Sequence, residues 1–384
     1  MRDLFLIDPD ITFLNHGSYG ACPREVVEAQ RRWQLEMERN PVEFLARRSA
    51  ALLGQAREEL ARFVGADAAD LAFVPNATTG VNTVARSIAL AAGDEVLACD
   101  HEYGACETTL RLACAERGAS YRRVELPLPF DRARFVDHLL GAATPRTKLI
   151  LVSHVTSVTA LVFPVAELCA RARERGILTL VDGAHAPGQI ALDLAAVGAD
   201  FYTGNCHKWM CGPKGAAFLH VRREHHAAVR APVVSWGYAA EVSGHTGFDA
   251  YTGRTTLERR LQWQGTRDPS AWLAVPAAIA FQARHDWPAV RARCHALAVQ
   301  TLHRFVDRFG LAPIADDDDH AQMVPLPVPH ADPEALRARL WQESRIEVPV
   351  TWHGGRSFVR LSVQGYNTAE DIERLWAAPA LAAA

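Results

Sequence analysis

The feature that most constrains the fold is an alternation of short apolar segments with longer helix-like segments between Leu71 and Lys208. Each apolar segment has the length and composition of a buried strand. The pairs are "DLAFVP" with "TTGVNTVARSIAL", "DEVLAC" with "GACETTLRLACAERG", and "TKLILVSH" with "PVAELCARARERG". Such alternation favours a mostly parallel sheet with helices on both faces. We therefore predict an α/β protein.

The last third of the chain has a different pattern. The segments "MVPLPV", "RIEVPVTW" and "SFVRLSV" are typical of strands, while "PEALRARLWQES" and "TAEDIERLW" are typical of separate helices. This pattern predicts a smaller α+β domain. We place the large domain at residues 21–270, and the smaller domain at residues 1–20 and 271–384.

Charge and hydropathy exclude several function classes. The 41 basic and 44 acidic side chains nearly balance, for a formal net charge of −3. Neither a nucleic-acid-binding surface nor a membrane-binding surface is expected without a basic stripe. The apolar start is interrupted by Asp8, Pro9 and Asp10, and the longest apolar stretch contains His154 and several hydroxyl groups. We predict a cytoplasmic protein without a signal peptide or a membrane-spanning helix.

The eight cysteines are scattered through the chain, so we predict reduced thiols rather than disulfides. No C-x-x-C pair lies elsewhere in the sequence to complete a zinc site with Cys206 and Cys211. The acidic run from Asp316 to Asp319 is interpreted as a solvated loop. The sequence thus predicts no metal site.

Chemistry in an open parallel sheet is expected at the carboxyl ends of its strands. The segment "NATTGVN" follows one predicted strand and opens a helix. Its backbone N–H groups, with the hydroxyls of Thr78 and Thr79, could bind an anion such as phosphate. Simple helix capping by Asn76 and Thr78 explains the same residues equally well.

Two further strand ends carry an acid and a base. Asp182 follows "TLV", where a carboxylate is costly unless it is paired, and Lys208 follows "FYTGNC". Taken singly, Asp182 could be a helix cap and Lys208 a surface residue. An anion site, a strand-end Asp and a strand-end Lys together are what pyridoxal 5′-phosphate (PLP) requires.

Motifs along nearly the whole chain resemble those of the class V aminotransferase group of PLP enzymes, and most of all its isopenicillin N epimerase-like branch. They are "LNHGSYG", "NATTGVN", "DHEYGA", "HVTS", "VDGAHAPGQ", "TGNCHKWMCGPKG", "QGTRD" and "VRLSVQGYNTAEDI". The resemblance implies a PLP-dependent transferase fold.

The resemblance also implies roles around the cofactor. Lys208 would form an imine with PLP, and Asp182 would pair with its pyridine nitrogen. His185 would contact the ring hydroxyl, and Tyr103 would stack on the ring, although Tyr103 could also be a core residue at a helix start. Ser157 stands where desulfurases carry Asn, which leaves its role open. The phosphate would be held by Ala77, Thr78, Asn205 and His207, and by Thr266 of a neighbouring subunit, which implies a homodimer.

The same resemblance places Arg360 at the substrate. Its guanidinium would grip the α-carboxylate of a small amino-acid-type substrate through two parallel donors. The alternative is an exposed strand arginine. Asn15, His16 and Arg47 are further candidates for the substrate entrance, which turn capping and a helix surface explain nearly as well.

The family resemblance leaves the reaction open. Loss of the α-proton can lead to epimerisation, transamination or elimination of a β-substituent. Cysteine desulfurases carry a nucleophilic Cys shortly before the strand with the carboxylate-binding Arg, but that segment here contains Trp352, His353 and Gly354 and no Cys. We therefore expect an epimerase-like enzyme, with an aminotransferase or a C–S lyase as the alternative.

Overall fold

The computed structural model describes residues 1–244, 247 and 249–382. The strands are β1 Thr12–Phe13, β2 Leu71–Val74, β3 Glu95–Cys99, β4 Ser120–Val124, β5 Thr147–Ser153, β6 Leu178–Gly183, β7 Phe201–Asn205, β8 Ala217–Val221, β9 Met323–Val328, β10 Ile346–Glu347, β11 Val350–His353 and β12 Arg356–Ser362.

The α-helices are α1 His16–Tyr19, α2 Arg24–Arg39, α3 Ser49–Val64, α4 Ala77–Ser87, α5 Gly104–Arg117, α6 Arg132–Gly141, α7 Val165–Glu174, α8 Leu194–Val197, α9 Trp236–Ser243, α10 Asp249–Thr252, α11 Ser270–Leu273, α12 Val275–Arg284, α13 Trp287–Phe309, α14 Pro333–Ser344 and α15 Ala369–Trp376. Glu43–Arg48 and Glu258–Gln262 form π-helical turns.

A seven-stranded sheet forms the centre of the molecule, in the order β2-β8-β7-β6-β5-β3-β4. Only β8 runs antiparallel to its neighbours β2 and β7, and the other pairings are parallel. This sheet confirms the predicted α/β class. Because β7, β6, β5 and β3 are parallel neighbours, their carboxyl ends meet along one edge of the sheet.

Alternate residues of the central strands pack on opposite faces of the sheet. Leu149 and Leu151 of β5 belong to an apolar cluster with residues of α4 and α5. Ile150 and Val152 of the same strand join a second cluster with residues of α6 and α7. Helices therefore cover both faces, which is why these strands are apolar throughout rather than alternating.

A three-stranded antiparallel sheet, in the order β11-β12-β9, lies in the last third of the chain. Its residues share an apolar cluster with α13, α14 and the N-terminal Phe5 and Leu14. Another link to the N-terminus is the parallel pairing of β1 with β10. The division into domains at residues 20 and 270 stays a prediction.

Among the described residues, no helix combines the length and hydrophobicity needed to cross a membrane. All eight cysteines are free thiols, and seven of them are buried.

Candidate active site

A cavity of about 510 Å³ lies at the carboxyl edge of the large sheet. Three central strands contribute residues from their carboxyl ends: Ser153 and Asn205 are the last residues of β5 and β7, and Asp182 is the next to last of β6. The start of α4, the loop after β7 and strand β12 complete the walls. This volume is in the range of small-molecule and cofactor sites. The wall residues that the sequence singled out are Ala77, Thr78, Tyr103, Ser157, Asp182, His185, Asn205, His207, Lys208 and Arg360.

Lys208 lies in the turn after β7 and is held out of water. Burial, followed by the nearby positive charge of Arg360, lowers its pKa to about 7 against an opposing effect of Asp182. Its Nζ lies 3.0 Å from Nε2 of His185. A lysine amine with this pKa is substantially uncharged at neutral pH, as a nucleophile or base must be.

Trp209 determines which ring nitrogen of His185 carries the proton. Trp209 donates its indole N–H to Nδ1 of His185 over 3.3 Å, and an indole nitrogen has only a donor role. Burial and the charge of Lys208 hold the pKa of His185 well below its usual value, so the ring is neutral. With Nδ1 accepting, the single ring proton is on Nε2, which donates to the amine of Lys208 when that amine is unprotonated.

Asp182 is a nearly fully buried carboxylate in β6. One oxygen accepts the backbone N–H of Ala184 at 2.9 Å, and the other accepts the thiol of Cys106 at 3.2 Å. It lines the same cavity as Lys208. A carboxylate held there could keep a positively charged ring nitrogen protonated.

The N-terminus of α4 faces the cavity from a third side. Asn76 caps the helix by accepting the N–H of Thr79, and the side-chain oxygen of Asn205 accepts the N–H of Ala77. Both explanations of "NATTGVN" are thus compatible with the structure, since a capped helix start also lines the cavity. Because the N–H of Ala77 is already paired with Asn205, an arriving phosphate would compete with or rearrange that bond.

Arg360 projects from β12 into the same cavity and is 5% exposed. It donates to the backbone oxygen of Ser157 at 2.5 Å and to the hydroxyl of Ser18 at 3.1 Å. The ion pairs among the described residues do not include Arg360, and its Nε has no hydrogen-bond partner there. Burial lowers the pKa of this guanidinium to about 10, which still leaves it charged.

The N-terminal segment supports the loop that carries Lys208. His16 is fully buried, with Nε2 3.0 Å from the backbone oxygen of Lys208 and Nδ1 2.9 Å from the hydroxyl of Tyr366. A Cβ on Gly20, at φ +71°, would lie 2.0 Å from the backbone oxygen of His207. The "LNHGSYG" motif therefore packs against the lysine loop, with His16 in a supporting position.

Several other predicted residues lie in different surroundings. Tyr103 lines the cavity at the start of α5 and is 46% exposed. Asn15 accepts a long hydrogen bond of 3.5 Å from Arg360 and accepts the hydroxyl of Ser18. Thr266 is exposed and lies outside the cavity lining of this chain, and Arg47 pairs with Glu43 on the surface.

Sequence reasoning missed three residues that the fold brings to the site. Ser18 contacts Arg360, Cys106 contacts Asp182, and the side chain of Lys214 reaches from the cavity wall to the backbone oxygen of Gly20. Cys106 stands three positions after Tyr103, so the helical register of α5 was a usable signal. For Ser18 no local signal exists, because Arg360 comes from the other end of the chain.

The protein-family model described as aminotransferase class-V matches residues 13–375. The chain belongs to the class-V aminotransferase family. It is therefore an enzyme, and its cofactor is pyridoxal 5′-phosphate. The neutral lysine, the buried aspartate and the helix start around one cavity are a donor set that suits this cofactor.

Two curated relatives illustrate the range of the family. Isopenicillin N epimerase of Streptomyces clavuligerus is 40% identical over 379 residues, covering 97% of this chain and 95% of the relative. A protein named putative L-cysteine desulfhydrase 1, from Oryza sativa subsp. japonica, is 31% identical and covers 94% of this chain and 81% of the relative.

A solved structure of similar fold is a C-DES variant with glycine covalently linked to its PLP cofactor. It superposes with a TM-score of 0.82 at 23% identity, covering 99% of both chains. The PLP-dependent transferase fold is thus the fold of this class-V family member.

Proposed function

We propose that this class-V enzyme inverts the configuration at Cα of an amino acid or an amino-acid-containing substrate with a free α-carboxylate. The observation that carries the proposal is Arg360, a buried cation without a carboxylate partner among the described residues, in the same cavity as Lys208. A substrate carboxylate would supply the missing charge. Near full-length similarity to an isopenicillin N epimerase supports the choice of reaction.

Each residue would have one task in this reaction. Arg360 would fix the substrate by its carboxylate, and Asp182 would balance the charge of the pyridine nitrogen. PLP, when bound, withdraws electrons from the bonds at Cα. The neutral Nζ of Lys208 would take the α-proton on one face, while His185 keeps that amine oriented. Ala77, Thr78, Asn205 and His207 would surround the phosphate.

Elimination of a β-substituent, as in a C–S lyase, is the second candidate. A relative named as a putative L-cysteine desulfhydrase, at 31% identity over 94% of this chain, favours it over transamination. Persulfide chemistry of the desulfurase type is disfavoured. The turn between β11 and β12 consists of Gly354 and Gly355, with Trp352 and His353 before it, and offers no thiol.

The reaction is tested by incubating the PLP-loaded enzyme with a panel of amino acids and short peptides in deuterated water. Deuterium at Cα with inversion of configuration is the expected result. Pyruvate with ammonia would replace the proposal with a lyase, and a keto acid would replace it with an aminotransferase. Lys208→Ala serves as the control for chemistry that occurs without the enzyme's base.

We also propose that the active unit is a homodimer in the cytoplasm. The exposed position of Thr266, away from its own cavity, is compatible with contact to a neighbouring subunit's phosphate group. The eight free cysteines are compatible with a reducing compartment. Analytical ultracentrifugation tests the dimer, and a monomer with full activity would contradict it.

A further inference from the structure

Asp100, His101 and His353 bring three metal-ligating atoms together outside the proposed catalytic residues. These atoms all lie within 4.8 Å of one another, and no other such group of three His, Cys, Asp or Glu residues is found in the part of the chain that the structure describes. Nε2 of His101 lies 3.7 Å from Oδ1 of Asp100, and Nε2 of His353 lies 3.6 Å from Oδ2.

These separations suit a shared ion better than direct hydrogen bonds. Both exceed the donor–acceptor distance of a normal hydrogen bond, which ends near about 3.2 Å. Ligand atoms placed about 2.0–2.1 Å from a tetrahedral ion lie roughly 3.4 Å apart. Oδ1 of Asp100 also accepts the backbone N–H of Leu126 at 3.0 Å, which fixes the carboxylate.

His101 is the second, independent indication of a ligand. Its ring is completely buried, and Nε2 has no hydrogen-bond partner among the described residues. A buried polar atom without a partner is costly, so it requires an explanation. Nδ1 lies 2.7 Å from the hydroxyl of Thr159, which in turn lies 2.8 Å from that of Thr156. When Nδ1–H donates to Thr159, the lone pair of Nε2 points toward the cluster, as in metal-binding histidines oriented by an outer partner.

The third ligand is placed by a tight hairpin. His353 ends β11 and pairs with Arg356 of β12 across a turn formed by Gly354 and Gly355. Their φ angles of 55° and 77° are those of a two-residue turn that requires glycine. The rings of His353 and His101 are 4.0 Å apart between centroids. The hairpin therefore holds the imidazole of His353 beside that of His101, which lies just after β3.

We propose that Asp100, His101 and His353 bind a divalent transition-metal ion of the Zn²⁺ class. Two imidazoles and one carboxylate suit zinc and its first-row neighbours, and three protein ligands leave a position for water. The ion would tie the seven-stranded sheet to the three-stranded sheet, since Asp100 and His101 directly follow β3 and His353 ends β11. The sequence prediction of no metal site would then be wrong, and the proposal does not depend on which reaction the enzyme catalyses.

The test measures zinc binding by the PLP-loaded enzyme after treatment with a chelator, using calorimetry and elemental analysis. The wild type is expected to bind one Zn²⁺ per chain. His353→Ala and Asp100→Asn are expected to weaken binding by at least about 100-fold, because even the loss of an outer partner costs about 10- to 100-fold. Thr159→Val should weaken zinc binding by about 10- to 100-fold, because it removes only the outer partner of His101.

His303→Ala is the matched control. His303 forms an exposed pair with Asp317 at 2.8 Å and is not part of the cluster. Asp100→Asn keeps an oxygen for the N–H of Leu126, so it separates loss of the ligand from loss of the fold. Absence of zinc binding by the wild type overturns the proposal. Binding that His353→Ala and Asp100→Asn leave unchanged also overturns it, because the ion then lies elsewhere.

Discussion

In the candidate cavity, the surroundings of Lys208 (the Lys208 end) and those of Arg360 (the Arg360 end) differ in how their polar groups are satisfied. At the Lys208 end, Trp209, His185 and Lys208 form a continuous chain of hydrogen bonds, and Asp182 accepts bonds on both of its oxygens. At the Arg360 end, a buried guanidinium has only neutral oxygens as partners, and its Nε has none among the described residues.

This difference indicates a division of labour. A fully bonded network is rigid and fixes one geometry, which suits the positioning of a cofactor. A buried charge without a counter-ion is unfavourable until a ligand of opposite charge binds. Because Arg360 loses its water when the chain folds, ligand binding does not have to desolvate it again. The Lys208 end would therefore set the chemistry, and the Arg360 end would set which molecules enter.

The largest effect is expected at the Lys208 end. Lys208→Ala removes the amine that we propose both forms the imine and acts as the base, so kcat should fall by at least about 10²- to 10⁴-fold. Lys148→Ala is the control, because Lys148 pairs with Asp94 at the surface and the sequence has only three lysines. A variant that retains one-tenth of the wild-type rate would remove Lys208 from catalysis.

At the other end, Arg360→Lys should raise KM while the cofactor spectrum stays unchanged. A lysine cannot make the paired contact of a guanidinium, and a hydrogen bond to a charged group contributes about 1.5–3 kcal/mol, so kcat/KM should fall roughly 10- to 150-fold. The matched control is Arg356→Lys on the same strand. Equal losses for a substrate and for its α-carboxamide would show that Arg360 does not bind the carboxylate.

The pH dependence of cofactor loading sharpens the comparison. Burial lowers the pKa of Lys208 to about 7, so the protonated, unreactive form predominates only below that pH. The rate at which apoenzyme takes up PLP should rise about tenfold per pH unit below 7 and level off above it. Stopped-flow absorbance measures this rate. A rate that keeps rising toward pH 10 would mean that the lysine is solvated.

The smallest effect is expected at Cys106. Its thiol is a weak donor to Asp182, so Cys106→Ala should weaken PLP binding by no more than about tenfold, corresponding to at most about 1.5 kcal/mol. Cys114→Ala, another buried cysteine of α5, controls for the lost volume. A larger effect on PLP affinity at Cys106 than at Cys114 is the expected outcome, and equal effects would leave the thiol only a packing role.

Local patterns were sufficient for part of the site. Asp182 lies at the end of one apolar strand and Lys208 follows another, and strand order in a parallel sheet brings such ends together. Arg360 was predicted only from the family resemblance, because the local sequence around a strand arginine does not indicate that its side chain is buried. Cys106, which contacts Asp182, was missed although its place in α5 was a usable signal. Ser18 was missed because its significance depends on Arg360, which is distant in sequence. The cluster of Asp100, His101 and His353 was missed for the same reason.

The amino-acid sequence alone determined the alternating strands and helices, and with them the edge at which polar strand ends meet. It did so because hydrophobic periodicity is a local property of the chain. Only the tertiary structure decided that burial lowers the pKa of Lys208 to about 7, that Arg360 lacks a counter-ion among the described residues, and that the ring of His353 lies beside that of His101. Charge state and ligand geometry depend on burial and on partners from remote segments, which come together only when the chain is folded.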